Sequence, residues 1–202
     1  MGLVFWILAS YVLGSTPTSY IVGQTFASKD LRELGSKNLG ATNVYRVLGL
    51  KYAIPVGLID VAKGVIPVTL FARYAGSEPW IPITLGAVAV FGHVFSVFVR
   101  FRGGKGVATA SGAVVALAPT AFLVSLVVWI VAVKLTGYVS VGSILAALVF
   151  PAAAWFAAPD DVYTFGVGLV LAVFILFTHR TNVRRLALGT EHRFGRWRIG
   201  AS

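Results

Sequence analysis

The sequence predicts an all-α integral membrane protein, with seven transmembrane segments that include a short-helix hairpin at about residues 107–135. Three observations lead there. Charged residues make up only 12% of the 202 positions while 57% are hydrophobic, whereas soluble domains average about a quarter charged. Runs such as Leu3 to Gly14, Ala113 to Val133 and Val162 to Thr178 are almost free of charge, and about 20 apolar residues suffice to cross the hydrocarbon of a bilayer. The basic residues, finally, collect in the segments between and after these runs, around residues 29–51 and 100–105 and in the tail from Arg180 to Arg198.

The apolar runs cover roughly residues 3–23, 52–74, 80–99, 107–135, 141–157 and 162–178. The first has no basic flank ahead of it and no prominent small-x-small cleavage pattern, so Leu3 to Val22 reads as a retained span rather than a removed leader. Lys and Arg gather on the cytoplasmic side of short-looped membrane proteins. Placing loop 24–51 inside puts residues 75–79, with Glu78, outside and returns Arg100 to Gly106 inside. If 107–135 crossed once, the basic tail would end outside. As one helix that run would measure about 43 Å at 1.5 Å per residue, too long for a core of about 30 Å. Pro119 lies near its middle, where proline breaks or kinks a helix. A hairpin at Pro119 returns Lys134 to the cytoplasm, leaves Asp160 and Asp161 outside and brings the tail inside. The N-terminus is then outside and the C-terminus cytoplasmic, with only Arg73, at an outer boundary, against the rule. Each arm of the hairpin is short, and a half-helix is tolerated where its end is buried in protein or lines a cavity. With short connections throughout, residues 1–202 read as a single polytopic membrane domain.

Composition also excludes. There is no cysteine, hence no disulfide, thiolate metal site or Cys nucleophile, and three scattered histidines make no transition-metal cluster. Neither a metal nor another cofactor is expected. The net charge of +10 sits in loops rather than on a base-stacking module, so the partner it points to is the anionic lipid surface, not nucleic acid.

On this topology the polar segments all meet the cytoplasm. "RFRGGKGVAT" (100–109) is the sharpest local signal. Gly103 and Gly104 permit close approach of backbone N–H groups to an anion, Lys105 adds a point charge, and a helix starting near Val107 aims its positive end at the same place. It is not a Walker A loop, because Gly106 follows the lysine. "GSKNLGATNVYRVLG" (35–49) adds Ser36, Asn38, Thr42 and Asn43 as small donors and acceptors, Gly35 and Gly40 for unusual backbone angles, and Arg46 as a planar fork for phosphate. Capping and turn chemistry is the bland reading of the same stretch. Asp60 and Lys63 share a helical face inside a span, where charges are paired or functional; an ion pair locking helices and a direct substrate contact both fit. His93 reads as a helix-packing residue. His179 and Asn182 lie three apart where the last apolar run meets water. His179 has the pKa range of a general base, although an interfacial anchor fits too. Glu191 and His192 follow in a tail that can fold back, and Ser140 and Ser143 border the same face if the hairpin forms.

Several enzyme signatures are missing. The residues five positions after the three histidines are Phe98, Arg184 and Trp197, so the acyl-CoA-type acyltransferase dyad is lacking. There is no "PSGH" phosphatase core, no aspartate repeat of a CDP-alcohol transferase and no His–Ser–Asp triad at matching depth. Many phosphate and hydroxyl binders with few acid–base groups suit a substrate that already carries a good leaving group.

"GSKNLGATNVYRVLG", "DVAKG", "GHVFSVFVRFRGGKGVATASG", "YVSVGS" and "HRTNVRRLALGTEHRF" resemble, in order and spacing, the acyl-phosphate:glycerol-3-phosphate acyltransferase family of bacterial membranes. The resemblance runs from Leu13 to about Phe194. It implies a seven-helix fold with the N-terminus outside, in the bacterial cytoplasmic membrane, and transfer of a fatty acyl group from acyl phosphate to glycerol 3-phosphate without acyl-CoA or acyl carrier protein. It also implies that Ser36, Arg46 and Lys105 lie in a phosphate-binding zone, with Ser143, His179 and Asn182 around glycerol 3-phosphate. Asn38, Gly40, Thr42, Asn43, Gly103, Gly104 and Glu191 complete the expected binding set. Lys37 stands where the family usually has Gly, Ser96 replaces a common Pro, and "GSTPTSY" departs from the usual first-helix ending. A transporter of organophosphates or other anions, gated by the 107–135 hairpin, is the competing reading; the concentration of polar motifs on one face argues for interfacial chemistry instead.

Overall fold

The computed structural model describes residues 2–194, so the end of the basic tail, with Arg196 and Arg198, lies outside the described residues. Every regular element among them is helical: α1 (Leu3–Ser15), α2 (Thr18–Ala27), α3 (Ala41–Leu48), α4 (Leu50–Ile66), α5 (Ala72–Ala75), α6 (Trp80–Val94), α7 (Val107–Leu117), α8 (Pro119–Thr136), α9 (Val139–Ala157), α10 (Val162–Thr178) and α11 (Arg180–Ala187). A π-helical turn, Pro67–Phe71, joins α4 to α5, and a 3-10 turn covers Val97–Val99.

Four of these stretches are long and apolar enough to cross a membrane: Leu50–Ala75, Trp80–Val99, Pro119–Thr136 and Val139–Ala157. A fifth is added if α10 and α11, bent by 56° at His179, form one span. Two of the predicted segments are divided at prolines into helices shorter than these. Pro17 divides the first apolar run, so that α1 has 13 residues and α2 has 10. Pro119 starts α8 and leaves α7 with 11 residues. Proline lacks the N–H that a continuing helix needs, and it pushes the residue before it out of the helical region. The break at Pro119 lies where the sequence placed it. α8, however, has 18 residues rather than being a short arm.

Contacts divide the chain into two compact units, one formed by the first 113 residues and one from Val114 onward. In the first, α1 packs on α6 and α3 on α4. Small residues set the distances: a Cβ on Gly14 would strike the backbone of Ala89 in α6, and one on Gly64 would strike the carbonyl of Thr109 in α7. Such close crossings give dispersion contacts where water exclusion gives nothing. A separate cluster of Leu31, Leu39, Val44, Ala53, Val56 and Val99 is buried under α3 and α4. Burying a leucine stabilises by about 1.5–3 kcal/mol, so Leu31 and Leu39 pin both ends of a polar loop that has no regular structure. In the second unit α8 and α9 form a helical hairpin, α10 packs on α9, and α11 turns off the end of α10.

Candidate active site

The polar segments form two constellations, one in each unit. In the first, the loop 28–40 is organised by Asn43. This side chain is 1% exposed. Its amide nitrogen donates to the carbonyls of Leu31 (3.0 Å) and Leu34 (3.1 Å), and its oxygen accepts from the N–H of Ser36 at 2.8 Å. Three of its four hydrogen-bonding positions thus serve the loop backbone. Gly35 and Lys37 both take left-handed backbone angles, with φ of 59° and 60°, and the loop reverses between them. Ser36, Asn38, Gly40 and Thr42 are half-buried around this turn, Lys37 is exposed, and Arg46 occupies the last turn of α3. At the foot of the loop Arg32 is paired with Asp30 at 2.6 Å, and this hydrogen bond holds the Asp30 carboxyl below its usual range.

The Gly-Gly-Lys turn is built differently from what its composition suggests. The N–H of Gly103 donates to the Val94 carbonyl (2.9 Å) and that of Gly104 to the His93 carbonyl (3.1 Å). A helix ends with carbonyls that lack partners, and these two glycine donors satisfy the last ones of α6. The close approach that the missing side chains permit is therefore toward α6 and not toward an anion. A Cβ on Gly103 would run into the His93 carbonyl, and one on Gly104 into the His93 ring and the carbonyl of Leu39. Leu39 belongs to the opening loop, so two of the predicted patches do meet here. Just ahead of the turn Arg100 and Phe101 sit at φ of 56° and 60°, a conformation that costs a non-glycine residue roughly 1–2 kcal/mol each. Such strain collects at functional sites. Half-buried Lys105 and the first turn of α7 follow directly.

Beneath this turn lies a charge cluster. Lys63 Nζ donates to Asp60 (2.6 Å), to the Thr16 carbonyl (2.5 Å) and to the Thr18 hydroxyl. Asp60 and Lys63 are 1% and 2% exposed. The ion-pair reading of these residues is thus realised, with the break between α1 and α2 supplying the remaining acceptors. His93 Nδ1 stands 3.9 Å from Asp60. Ser96, in place of the proline common in the family resembled, donates to the Ser15 carbonyl and ties the end of α6 to the end of α1.

The second constellation surrounds Glu191. Ser140 (2.9 Å) and Asn182 (2.6 Å) donate to its Oε1, and Arg185 donates to Oε2 at 2.8 Å. Burial pushes the carboxyl pKa up, but the bonds from Arg185, Asn182 and Ser140 outweigh it and hold the group below its ordinary value. Arg193 bonds the Tyr138 hydroxyl (3.1 Å) and the Phe194 N–H the Gly137 carbonyl (2.7 Å), so the tail does fold back, onto the turn between α8 and α9. His179, 3% exposed, caps the junction of α10 and α11. Its Nδ1 lies 2.9 Å from the Ile175 carbonyl. A carbonyl only accepts, so Nδ1 carries the hydrogen and Nε2 is the basic nitrogen of the neutral ring. Ser143 donates to the Val139 carbonyl (2.9 Å) and accepts from the Trp129 indole (3.3 Å). Arg185 escaped the sequence reading, although it shares a helical face with Asn182, three residues away.

Residues 4–189 match the family model described as glycerol-3-phosphate acyltransferase. The chain belongs to that family. A glycerol-3-phosphate acyltransferase of Fusobacterium nucleatum is 40% identical over 96% of this chain and 99% of its own length. One of Trichlorobacter lovleyi is 44% identical over 95% and 97%. The crystal structure of PlsY (YgiH), an integral membrane glycerol 3-phosphate acyltransferase, in its glycerol 3-phosphate form superposes with a TM-score of 0.89 at 38% identity, covering 96% of both chains. The lysophosphatidic acid form superposes at 0.84 with 37% identity, covering 96% and 95%. The chain described here is thus a glycerol-3-phosphate acyltransferase with several helices apolar enough to cross a membrane.

Proposed function

We propose that the acyl donor is an acyl phosphate and that the products are 1-acyl-glycerol 3-phosphate (lysophosphatidic acid) and phosphate. The observation that carries this reading is the state of the two buried carboxylates among the described residues. Asp60 is bound to Lys63, and Glu191 to Ser140, Asn182 and Arg185. His179 is oriented by the backbone carbonyl of Ile175. A donor whose leaving group departs readily asks least of such a site, and a mixed anhydride of a fatty acid with phosphate is one.

In this mechanism the acyl chain stays in lipid while its anhydride and glycerol 3-phosphate meet at the cytoplasmic face of the bacterial inner membrane. The charge pattern supports a seven-segment topology with the N-terminus outside and the C-terminus inside, on which each polar segment faces the cytoplasm. Both reactants are anions, and Arg46, Lys105 and the N-terminal end of α7 supply the opposing potential. Ser36, Asn38, Gly40, Thr42, Ser143 and Asn182 hold phosphate and hydroxyl oxygens, while Asn43, Gly103, Gly104 and Glu191 fix the backbone that carries them. The 1-hydroxyl oxygen attacks the acyl carbonyl, forming the new ester bond. The carbonyl carbon–oxygen bond to phosphate then breaks. The hydroxyl proton passes to a phosphate oxygen, or to His179 Nε2 as general base. Holding both reactants in one site supplies proximity, and Lys105 neutralises the charge of the departing phosphate.

The test is turnover in detergent with acyl phosphate and glycerol 3-phosphate, with Lys105→Ala in parallel. Lysophosphatidic acid formed without any vesicle barrier, at a rate that Lys105→Ala cuts by about a hundredfold or more, supports the reading. Product formation from acyl-CoA but not from acyl phosphate refutes the donor assignment. A covalent acyl-protein trapped during turnover refutes direct transfer.

A further inference from the structure

We infer that His93, backed by the Asp60–Lys63 pair, is a positioning residue for the Gly103–Gly104–Lys105 turn. The inference rests on the placement of Lys105 in the phosphate site proposed above. Its observations are geometric. The backbone of His93 accepts the N–H of Gly104 at 3.1 Å. Its ring fills the space in which a Gly104 side chain would lie, against Nε2. The same ring presents Nδ1 to Asp60 Oδ1 at 3.9 Å, and Oδ2 of Asp60, 1% exposed, has no hydrogen-bond partner. Lys63 is fastened to Thr16 and Thr18, so the pair has no freedom to withdraw. Beside the ring a small cleft, lined among others by Thr16, Thr18, His93 and Gly104, has room for about one water molecule.

The consequence is a column of neighbouring groups that runs from Lys63 in α4 through Asp60 and His93 to Gly104. Charges inside a span are costly, and they persist where they are paired or functional. A pair used only to join helices would need no imidazole standing over it. Here the ring converts the fixed position of α4 into a fixed position for a glycine turn, which has no side chains of its own to hold it. Lys105 follows directly. Misplacing a catalytic cation by about 1 Å can cost a hundredfold in rate, and that gives the column its use.

The test compares His93→Ala with His93→Gln in the full-length enzyme in detergent. Turnover and amide hydrogen exchange are both measured, with Lys105→Ala as reference. His93→Ala is expected to lower kcat by about ten- to a hundredfold, with the larger change in kcat rather than in KM for glycerol 3-phosphate. Exchange should rise in the segment 100–106 and stay unchanged in α4 and α6. His93→Gln, which refills the space beside Gly104, should restore most of the rate. An unaltered rate in His93→Ala, a glutamine variant as slow as the alanine one, or exchange that rises throughout α4 and α6 or not at all would overturn the inference. Should the alanine variant fail to accumulate, His93→Asn, which ends short of Gly104, replaces it, and equal rates for Asn and Gln overturn the inference in the same way. A Lys105→Ala enzyme with unchanged kinetics would instead remove the phosphate-site assignment on which the inference stands.

Discussion

Asn182 and Glu191 are joined by a hydrogen bond of 2.6 Å, which closes the chain from the first turn of α11 back onto itself. The same carboxylate collects Ser140 from α9 and Arg185 from α11. One buried acid therefore fixes the position of Asn182, a residue the resemblance puts beside the substrate.

Replacing Glu191 with Ala leaves three donors without their acceptor. Hydrogen bonds to charged groups contribute about 1.5–3 kcal/mol, and a loss of roughly that size is expected for the fold of the tail. Thermal unfolding in detergent should show it. Proteolysis should also reach the segment after Ala187 sooner than in the wild type.

Acid should reproduce part of this loss. Hydrogen bonds hold the folded pKa of Glu191 below its ordinary 4.5. For a group so depressed, the unfolded chain takes up protons first. The stabilisation is accordingly complete above about pH 4.5 and declines as the pH falls through the folded value. Melting curves between pH 7 and pH 3 should fall more steeply in the wild type than in Glu191→Gln. Parallel curves would mean that the tail is not held by this ionisation.

Asn43→Ala should loosen the opening loop before it alters chemistry. The substitution orphans the N–H of Ser36 and the carbonyl of Leu31, and leaves the Leu34 carbonyl with the Lys37 N–H as its backbone donor; each buried unsatisfied group costs about 1–3 kcal/mol. Trypsin cleavage at Lys29, Arg32 or Lys37 is the direct readout, and it should quicken markedly. Asn43→Asp keeps the acceptor for Ser36 but sets a carboxylate oxygen against the two carbonyls, so cleavage is expected to quicken there as well.

Lys37→Gly should stabilise the protein. At φ of 60° a lysine pays for a left-handed turn that costs non-glycine residues about 1–2 kcal/mol. Glycine gives back part of that gain as unfolded-state entropy. A net gain of about 0.5–1 kcal/mol remains, measurable as a higher melting temperature. A lower one would show that the exposed ammonium group makes a contribution larger than the strain.

Much of the architecture was readable from the residues. Low charge and long apolar runs gave the helical membrane class, and α10 occupies residues 162–178, the range of its apolar run. Pro119 marked its break because a missing N–H acts locally, whatever the surroundings. Pro17 carried the same signal within the first run, but hydropathy alone joined α1 and α2 into one span. The site was readable as residue types and only in part as roles. Asn43 looked like a ligand for oxygen atoms, and it is bonded to its own loop. Gly103 and Gly104 looked like an anion cradle, and their donors close the end of α6. Arg185 was passed over beside Asn182.

What the sequence determined by itself is what depends on each residue and its near neighbours: solubility in lipid, helix breaks, the sorting of charge into loops and the motifs that mark the family. Which partner each polar atom takes is set by the packing of the helices. Asp60 and Lys63 are neighbours on one helix. That His93 stands over them, and that Gly104 lies against its ring, depends on how α4, α6 and the turn pack. A buried donor or acceptor takes whatever partner lies within about 3 Å, and over that distance separation along the chain carries no information.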